Sequence, residues 1–222
     1  MAFPPARFIT FEGLDGSGKS THLKRAAAWL EEEGLPVLVT KEPGGTPLGE
    51  ELRSLFLGDR VRVADGIVEL LLVFASRRQH LVEVIDPALS AGKIVLCDRF
   101  TDSTIAYQGF GRGVSLEAIR AVERVATSSR KPDRTLLFDL PAESARGRGH
   151  SERRRANDSI NRLDAETVDF YSRIREGYRF LLAEDPKRFH VIDSSGDKDR
   201  TAEQVKGALA DLVLEPSARG RR

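Results

Sequence analysis

Apolar residues recur along this chain in two rhythms. Five short runs, Phe8 to Phe11, Val37 to Val39, Ile94 to Cys97, Thr135 to Leu140 and Phe189 to Ile192, have the length and composition of strands. Between them the apolar positions return every three or four residues. Examples are Leu23, Ala27 and Leu30 before Gly34, and Leu116, Ile119, Val122 and Val125 after a cap at Ser115. Strands alternating with amphipathic helices predict a parallel sheet with helices on both faces, a three-layer α/β fold. The stretch from Asp65 to Ala91 carries Val68, Leu71, Leu72, Ala75, Leu81, Val84, Ile85 and Leu89 and predicts a long buried helix, with Pro87 as the place for a bend. Two segments resist a packed assignment: Gly109 to Val114, and the arginine-rich run from Arg146 to Arg162, which reads as mobile. No repeat interrupts the pattern, so one domain over residues 1–222 is expected, with a frayed basic tail over about 216–222.

The first strand runs into Gly13-Leu14-Asp15-Gly16-Ser17-Gly18-Lys19-Ser20-Thr21, which fits G-x-x-x-x-G-K-[ST], and an amphipathic helix follows directly. That context is what a phosphate-binding loop requires. Its glycines let successive N–H groups turn inward towards phosphate oxygens, and the helix N-terminus adds a favourable dipole. Lys19 then reaches the β- and γ-phosphates of ATP. Ser20, with Thr21 as the alternative, offers a hydroxyl to Mg²⁺. A glycine-rich turn with an incidental Lys-Ser pair is the bland alternative, and the strand and helix on either side argue against it.

The loop alone does not choose among kinases, GTPases and motor ATPases. No N-K-x-D segment is present to read guanine, and the lone D-x-x-G, Asp193 to Gly196, comes too late for a switch. The third strand ends in Asp98-Arg99, an acid followed by a base, rather than in paired acids. Transfer between two nucleotides needs fixed cations over both. Arg99 sits at the sheet edge where open α/β folds bind ligands, and the segment 146–162 could close over the triphosphate as a lid. Asp98 either orients Arg99 and binds Mg²⁺ through water, or forms an ordinary strand-end ion pair. Glu12 either senses Mg²⁺ or satisfies backbone groups.

Three blocks narrow the reading: Phe11 to Ser20, Glu42-Pro43-Gly44-Gly45-Thr46 with Gly49 and Arg53, and Asp98 to Thr104 with Ala106-Tyr107-Gln108-Gly109. In order and spacing the chain resembles the bacterial thymidylate kinases, P-loop kinases that phosphorylate dTMP with Mg·ATP on the route to dTTP. The resemblance runs from about Phe8 to the last helix. It implies a five-stranded parallel sheet with a short lid, a homodimer, and a set of roles. Asp15 would meet the sugar 3′-hydroxyl and Arg99 the acceptor phosphate, with help to catalysis, beside the Lys19 and Asp98 that the motif and the strand end already put forward as catalytic. Arg77 would hold the thymine and phosphate side, Ser103 and Thr104 would face the base, and Tyr107, assisted by Gln108, would exclude a ribose 2′-hydroxyl. With Gly16 in the loop instead of a basic residue, the missing charge would come from Arg162 of the lid, with Arg148 and Arg153 to Arg155 behind it. The chain departs from the family at Val73, four residues before Arg77, where a phenylalanine usually stacks on thymine; here the phenylalanine is Phe74.

Composition removes other classes. Thirty-five basic residues against 34 acidic ones leave no global field for nucleic acid or a membrane surface. No apolar stretch approaches the ~20 residues of a membrane span. The N-terminus lacks the pattern of a signal peptide, and one cysteine forms no internal disulfide, so a cytoplasmic enzyme is expected. Cys97, inside a strand run, reads as packing, and the four histidines share no metal-ligand spacing.

Overall fold

The computed structural model describes residues 6–58, 65–145, 147–148 and 166–213. β1 (Arg7–Gly13), β2 (Val37–Lys41), β3 (Ile94–Asp98), β4 (Arg134–Asp139) and β5 (Phe189–Asp193) are the five expected strands. They form one sheet in the order β2-β3-β1-β4-β5, every neighbouring pair parallel. From the central β1 the chain goes to the edge strand β2, returns to β3 beside β1, and then continues on the other side through β4 and β5, so the carboxyl ends of β1 and β3 lie side by side at the switch point where ligands bind in such sheets.

The helices are α1 (Lys19–Glu32), α2 (Pro47–Leu57), α3 (Gly66–His80), α4 (Asp86–Ser90), α5 (Thr101–Thr104), α6 (Leu116–Thr127), α7 (Val168–Glu184) and α8 (Lys198–Val213). Side chains alternate across the sheet and build a core on each face. Ile9 and Phe11 of β1, Ile94 and Leu96 of β3, and Leu136 and Phe138 of β4 pack with α1 and α8. Phe8, Val95 and Cys97 point the other way, onto Leu81, Ile85 and Phe100, while Leu137 joins the core under α3, α6 and α7. The same parity sends Glu12 and Asp98 to opposite faces, and this divides their work. Helix starts are capped as their sequences suggest: Thr46, Asp65, Ser115 and Thr167 each accept a backbone N–H of the first turn.

Two expectations need correction. The helix over 65–91 is interrupted before Pro87, because Leu81–Ile85 forms a wide π-turn between α3 and α4. Pro87 has no N–H for the Glu83 carbonyl and its ring crowds that oxygen, so the turn upstream widens and the Asp86 N–H bonds Leu81 O. The segment from Gly109 is also packed: Ile105–Gly111 forms a second wide helical stretch. Ala106 and Phe110 lie against Gly177 of α7, and this tertiary contact outweighs the poor helical propensity of the glycines.

Candidate active site

The phosphate loop begins where β1 meets β4. Gly13 has φ +137°, and a Cβ there would lie 2.5 Å from the Phe138 carbonyl oxygen, so no side chain fits between the loop and its neighbour strand. Lys19 opens α1, is buried, and donates from Nζ to the Leu14 carbonyl at 2.8 Å. Burial, and secondarily the nearby Arg99, push its pKa down to about 8. Ser20 donates to Asp98 Oδ2 at 2.5 Å. Asp98 thus faces the helix carrying the phosphate loop, as its strand parity requires, instead of pairing with Arg99.

Arg99 is the hub of the site. It takes a left-handed backbone conformation, φ 74°, a strained geometry that costs on the order of 1 kcal/mol or more in a non-glycine residue. The turn directs its guanidinium back across the end of β1. Nη2 donates to Asp15 Oδ1 at 2.7 Å and to the Tyr107 hydroxyl at 3.1 Å. Nη1 donates to Gly13 O at 3.1 Å and to Ser103 Oγ at 2.9 Å. Beneath it lies the buried Glu12, which accepts from Phe100 N at 2.7 Å, Ser103 Oγ at 2.5 Å and the Tyr178 hydroxyl at 3.1 Å. Of the two readings left open for Glu12, the structure therefore contains the backbone-satisfying one. Burial, reinforced by Asp102, raises the Glu12 pKa to about 7.

A cavity of about 230 Å³ opens beside Arg99. Asp15, Arg77, Ser103, Thr104, Tyr107 and Gln108, all expected at an acceptor pocket, line it together. Arg53, Phe56 and Glu42 complete the wall. Val73 faces the cavity, whereas Phe74 is buried in the core and lies 4.7 Å from the Arg77 guanidinium. Gln108 donates to the buried Glu69 at 3.1 Å. Arg77 Nη1 and Thr104 Oγ1 are buried without a hydrogen-bond partner among the described residues. Buried polar atoms are seldom left unsatisfied, and these two belong to side chains of the cavity wall. A second, wider cavity of about 660 Å³ adjoins the phosphate loop, bounded by Gly18, Thr21, His22, Arg148, Ser194 and Lys198. Arg148 donates to the Ser194 and Ser195 carbonyls at its edge. The loop thus contributes Asp15 to the first cavity and Gly16, Ser17 and Gly18 to the second.

The sequence model of the family described as thymidylate kinase matches residues 11–205. The chain belongs to the thymidylate kinase family. A thymidylate kinase of Chromobacterium violaceum is 50% identical over 208 residues, 94% of this chain and 92% of that one. One from Desulfovibrio desulfuricans is 45% identical over 215 residues, 96% and 99% of the two chains. The crystal structure of thymidylate kinase from Ehrlichia chaffeensis superposes with a TM-score of 0.74 at 35% identity, covering 93% of this chain and 99% of that one.

Sequence reasoning missed Tyr178, Glu42 and His80 at this site. Tyr178 is one of several aromatic residues on an amphipathic helix, and nothing in its local pattern separates it from core. Glu42 stood in a recognised block, but its partners Arg77 and His80 lie more than thirty positions away. Arg162, the lid arginines Arg153 to Arg155 and the tail over 216–222 lie outside the described residues.

Proposed function

We propose that this chain transfers the γ-phosphate of ATP to dTMP, giving dTDP and ADP, in the cytoplasm. The observation that carries the reading is one cavity whose wall combines Arg99, Asp15, Arg77, Ser103, Thr104 and Tyr107, with Arg77 Nη1 and Thr104 Oγ1 buried and unpartnered among the described residues. A guanidinium donor suits the carbonyl oxygens of thymine and rejects an exocyclic amine, while the Arg99 cation suits a phosphate. Asp15 would accept from a sugar hydroxyl, and the Tyr107 ring, assisted by Gln108, would occupy the space a ribose 2′-hydroxyl needs; all three line the same cavity.

In-line transfer has little covalent chemistry, so position and charge carry the catalysis. Lys19 offers its ammonium to the donor phosphates and exchanges the Leu14 carbonyl for them. Arg99 exchanges its contacts to Asp15 and Ser103 for the acceptor phosphate. Arg162 supplies further charge from the lid, which keeps water from the reacting phosphoryl group. The Ser20 hydroxyl and the Asp98 carboxylate form an oxygen donor pair at the loop, the chemistry that suits Mg²⁺. These two residues would hold the ion, which when bound neutralises phosphate charge. A homodimer is supported by Leu48 and Leu55 of α2 and Ile67, Val68 and Leu71 of α3, large apolar side chains left exposed on adjacent helices. Light scattering of the wild type and of Leu71→Asp tests it, and a monomeric wild type would refute it.

The decisive experiment is ADP release with Mg·ATP and dTMP, dUMP, dCMP, dAMP or dGMP, with an acceptor-free blank. Release selective for dTMP is expected. Indiscriminate or acceptor-independent release overturns the acceptor assignment. Arg99→Met and Lys19→Met should each lower turnover by ~10²-fold or more, the usual cost of a lost charge at the transition state.

A further inference from the structure

Behind the base-facing wall of the acceptor cavity, three buried polar side chains and the half-buried Thr40 form an unbroken chain. Arg77 Nε donates to Glu42 Oε2 at 2.6 Å. Glu42 Oε1 meets His80 Nδ1 at 2.9 Å, and His80 Nε2 meets Thr40 Oγ1 at 2.6 Å. Arg77, Glu42 and His80 are each at most 2% exposed. Gly45 seals the chain: a Cβ there would lie 2.5 Å from His80 Nε2 and 2.9 Å from Thr40 Oγ1. The grouping of Glu42, His80 and Cys97 within 4.8 Å is not a metal centre. Both Glu42 oxygens already accept hydrogen bonds, Arg77 supplies the positive charge, and burial pushes the Cys97 thiol well above its ordinary pKa.

The direction of each bond follows from charge. Glu42 beside a guanidinium is a carboxylate and only accepts, so His80 Nδ1 carries a proton. A second full cation would leave this buried group with excess charge, so the imidazole is neutral and Nε2 accepts from Thr40. We infer that His80, in this one tautomer, is a positioning residue for base recognition. Through Glu42 it fixes the rotation of the Arg77 guanidinium in the cavity wall, against the rings of Phe74 and Phe100, and so keeps the buried Nη1 free of partners among the described residues and available to the base. Without the His80 N–H, the Glu42 carboxylate is free to swing and to accept from two N–H groups along one guanidinium edge, turning Nη1 from its place in the cavity wall. The inference rests on the dTMP reading for its consequence, though not for the tautomer.

The test has two arms. Nitrogen-15 NMR of the ligand-free chain should report Nδ1–H and an accepting Nε2 for His80; the opposite tautomer, or an imidazolium at neutral pH, overturns the inference whatever the substrate. In the second arm, His80→Leu should raise the KM for dTMP about tenfold, the loss of roughly one oriented hydrogen bond, and reduce the preference for dTMP over dCMP similarly. The KM for ATP should stay within twofold. His80→Asn, whose amide can replace the Nδ1–H donor, should restore most of the preference. Thr40→Val should weaken it in the same direction, and this milder variant decides the matter should the leucine variant fail to fold. A preference within twofold of wild type in His80→Leu, or in Thr40→Val where that variant must decide, overturns the inference, because packing alone would lower stability without touching base choice. Lack of any dTMP preference in the wild type would refute the dTMP reading instead, leaving the NMR arm to decide the relay.

Discussion

Replacing Glu12 with glutamine should change the protein's stability in a way that depends on pH. Glu12 is fully buried and its carboxyl titrates near pH 7 in the folded chain, against 4.5 ordinarily. Between these two values the folded protein holds a proton that the unfolded chain has released. Stability contributed by this group is therefore lost as pH rises from about 4.5 to about 7, the reverse of an ordinary ion-paired carboxylate. A shift of this size corresponds to a cost on the order of 3 kcal/mol at pH 8. Glutamine keeps the shape, still accepts from Phe100 N, and never ionises. Urea unfolding of wild type and Glu12→Gln at pH 5, 6, 7 and 8 isolates the effect, since other groups cancel in the difference. Relative to wild type, the variant should gain roughly 2.5 kcal/mol between pH 5 and pH 8. A difference independent of pH would show that the three donors around Glu12 compensate its burial fully, and would refute the reasoning.

Two other substitution or binding tests follow from the same geometry. Lys19 titrates near pH 8 when its partner is a carbonyl, and phosphate charge should raise that value, so ATP binding at pH 8.5 to 9 should take up a proton. Calorimetry in two buffers of different ionisation enthalpy measures this, with affinity falling as pH rises through 8; proton-neutral binding would contradict it. The neighbours Val73 and Phe74 should separate function from stability: Phe74→Ala should cost about 3–5 kcal/mol in urea unfolding, whereas Val73→Ala should cost far less and act mainly on the KM for dTMP.

The strands and the donor loop were legible because they are local. Each strand is a contiguous run, and the glycines, Lys19 and Ser20 occupy fixed offsets. Parity along β1 and β3 could even have assigned Glu12 and Asp98 to opposite faces. Val73 and Phe74 were also separable, since spacing from Arg77 put Val73 in register with it, and the cavity has that side chain in its wall. The relay behind Arg77 was not legible. Thr40, Glu42, Arg77 and His80 come from two segments with no shared period, and His80 was one of four histidines without a shared ligand spacing. Likewise the wide turns over Leu81–Ile85 and Ile105–Gly111 arise from a proline acting upstream and from packing on α7. Neither cause is visible within a single window of sequence.

Three bonds within two turns of α3 hold the loop from Glu42 to Thr46: Gly44 N to Ser76 Oγ, Arg77 to Glu42, and His80 to Glu42. The same loop leads directly into α2, whose Arg53 donates back to the Pro43 carbonyl at 2.9 Å. Mechanically, α2, the loop and α3 form one panel. Any closing motion over the cavity would carry Arg53, Phe56 and Arg77 of its wall as a unit, so the pocket would tighten by swinging a wall rather than by refitting its side chains. Selectivity is then set before the substrate arrives, and substitutions that loosen the panel should blur discrimination without touching Lys19 or Arg99.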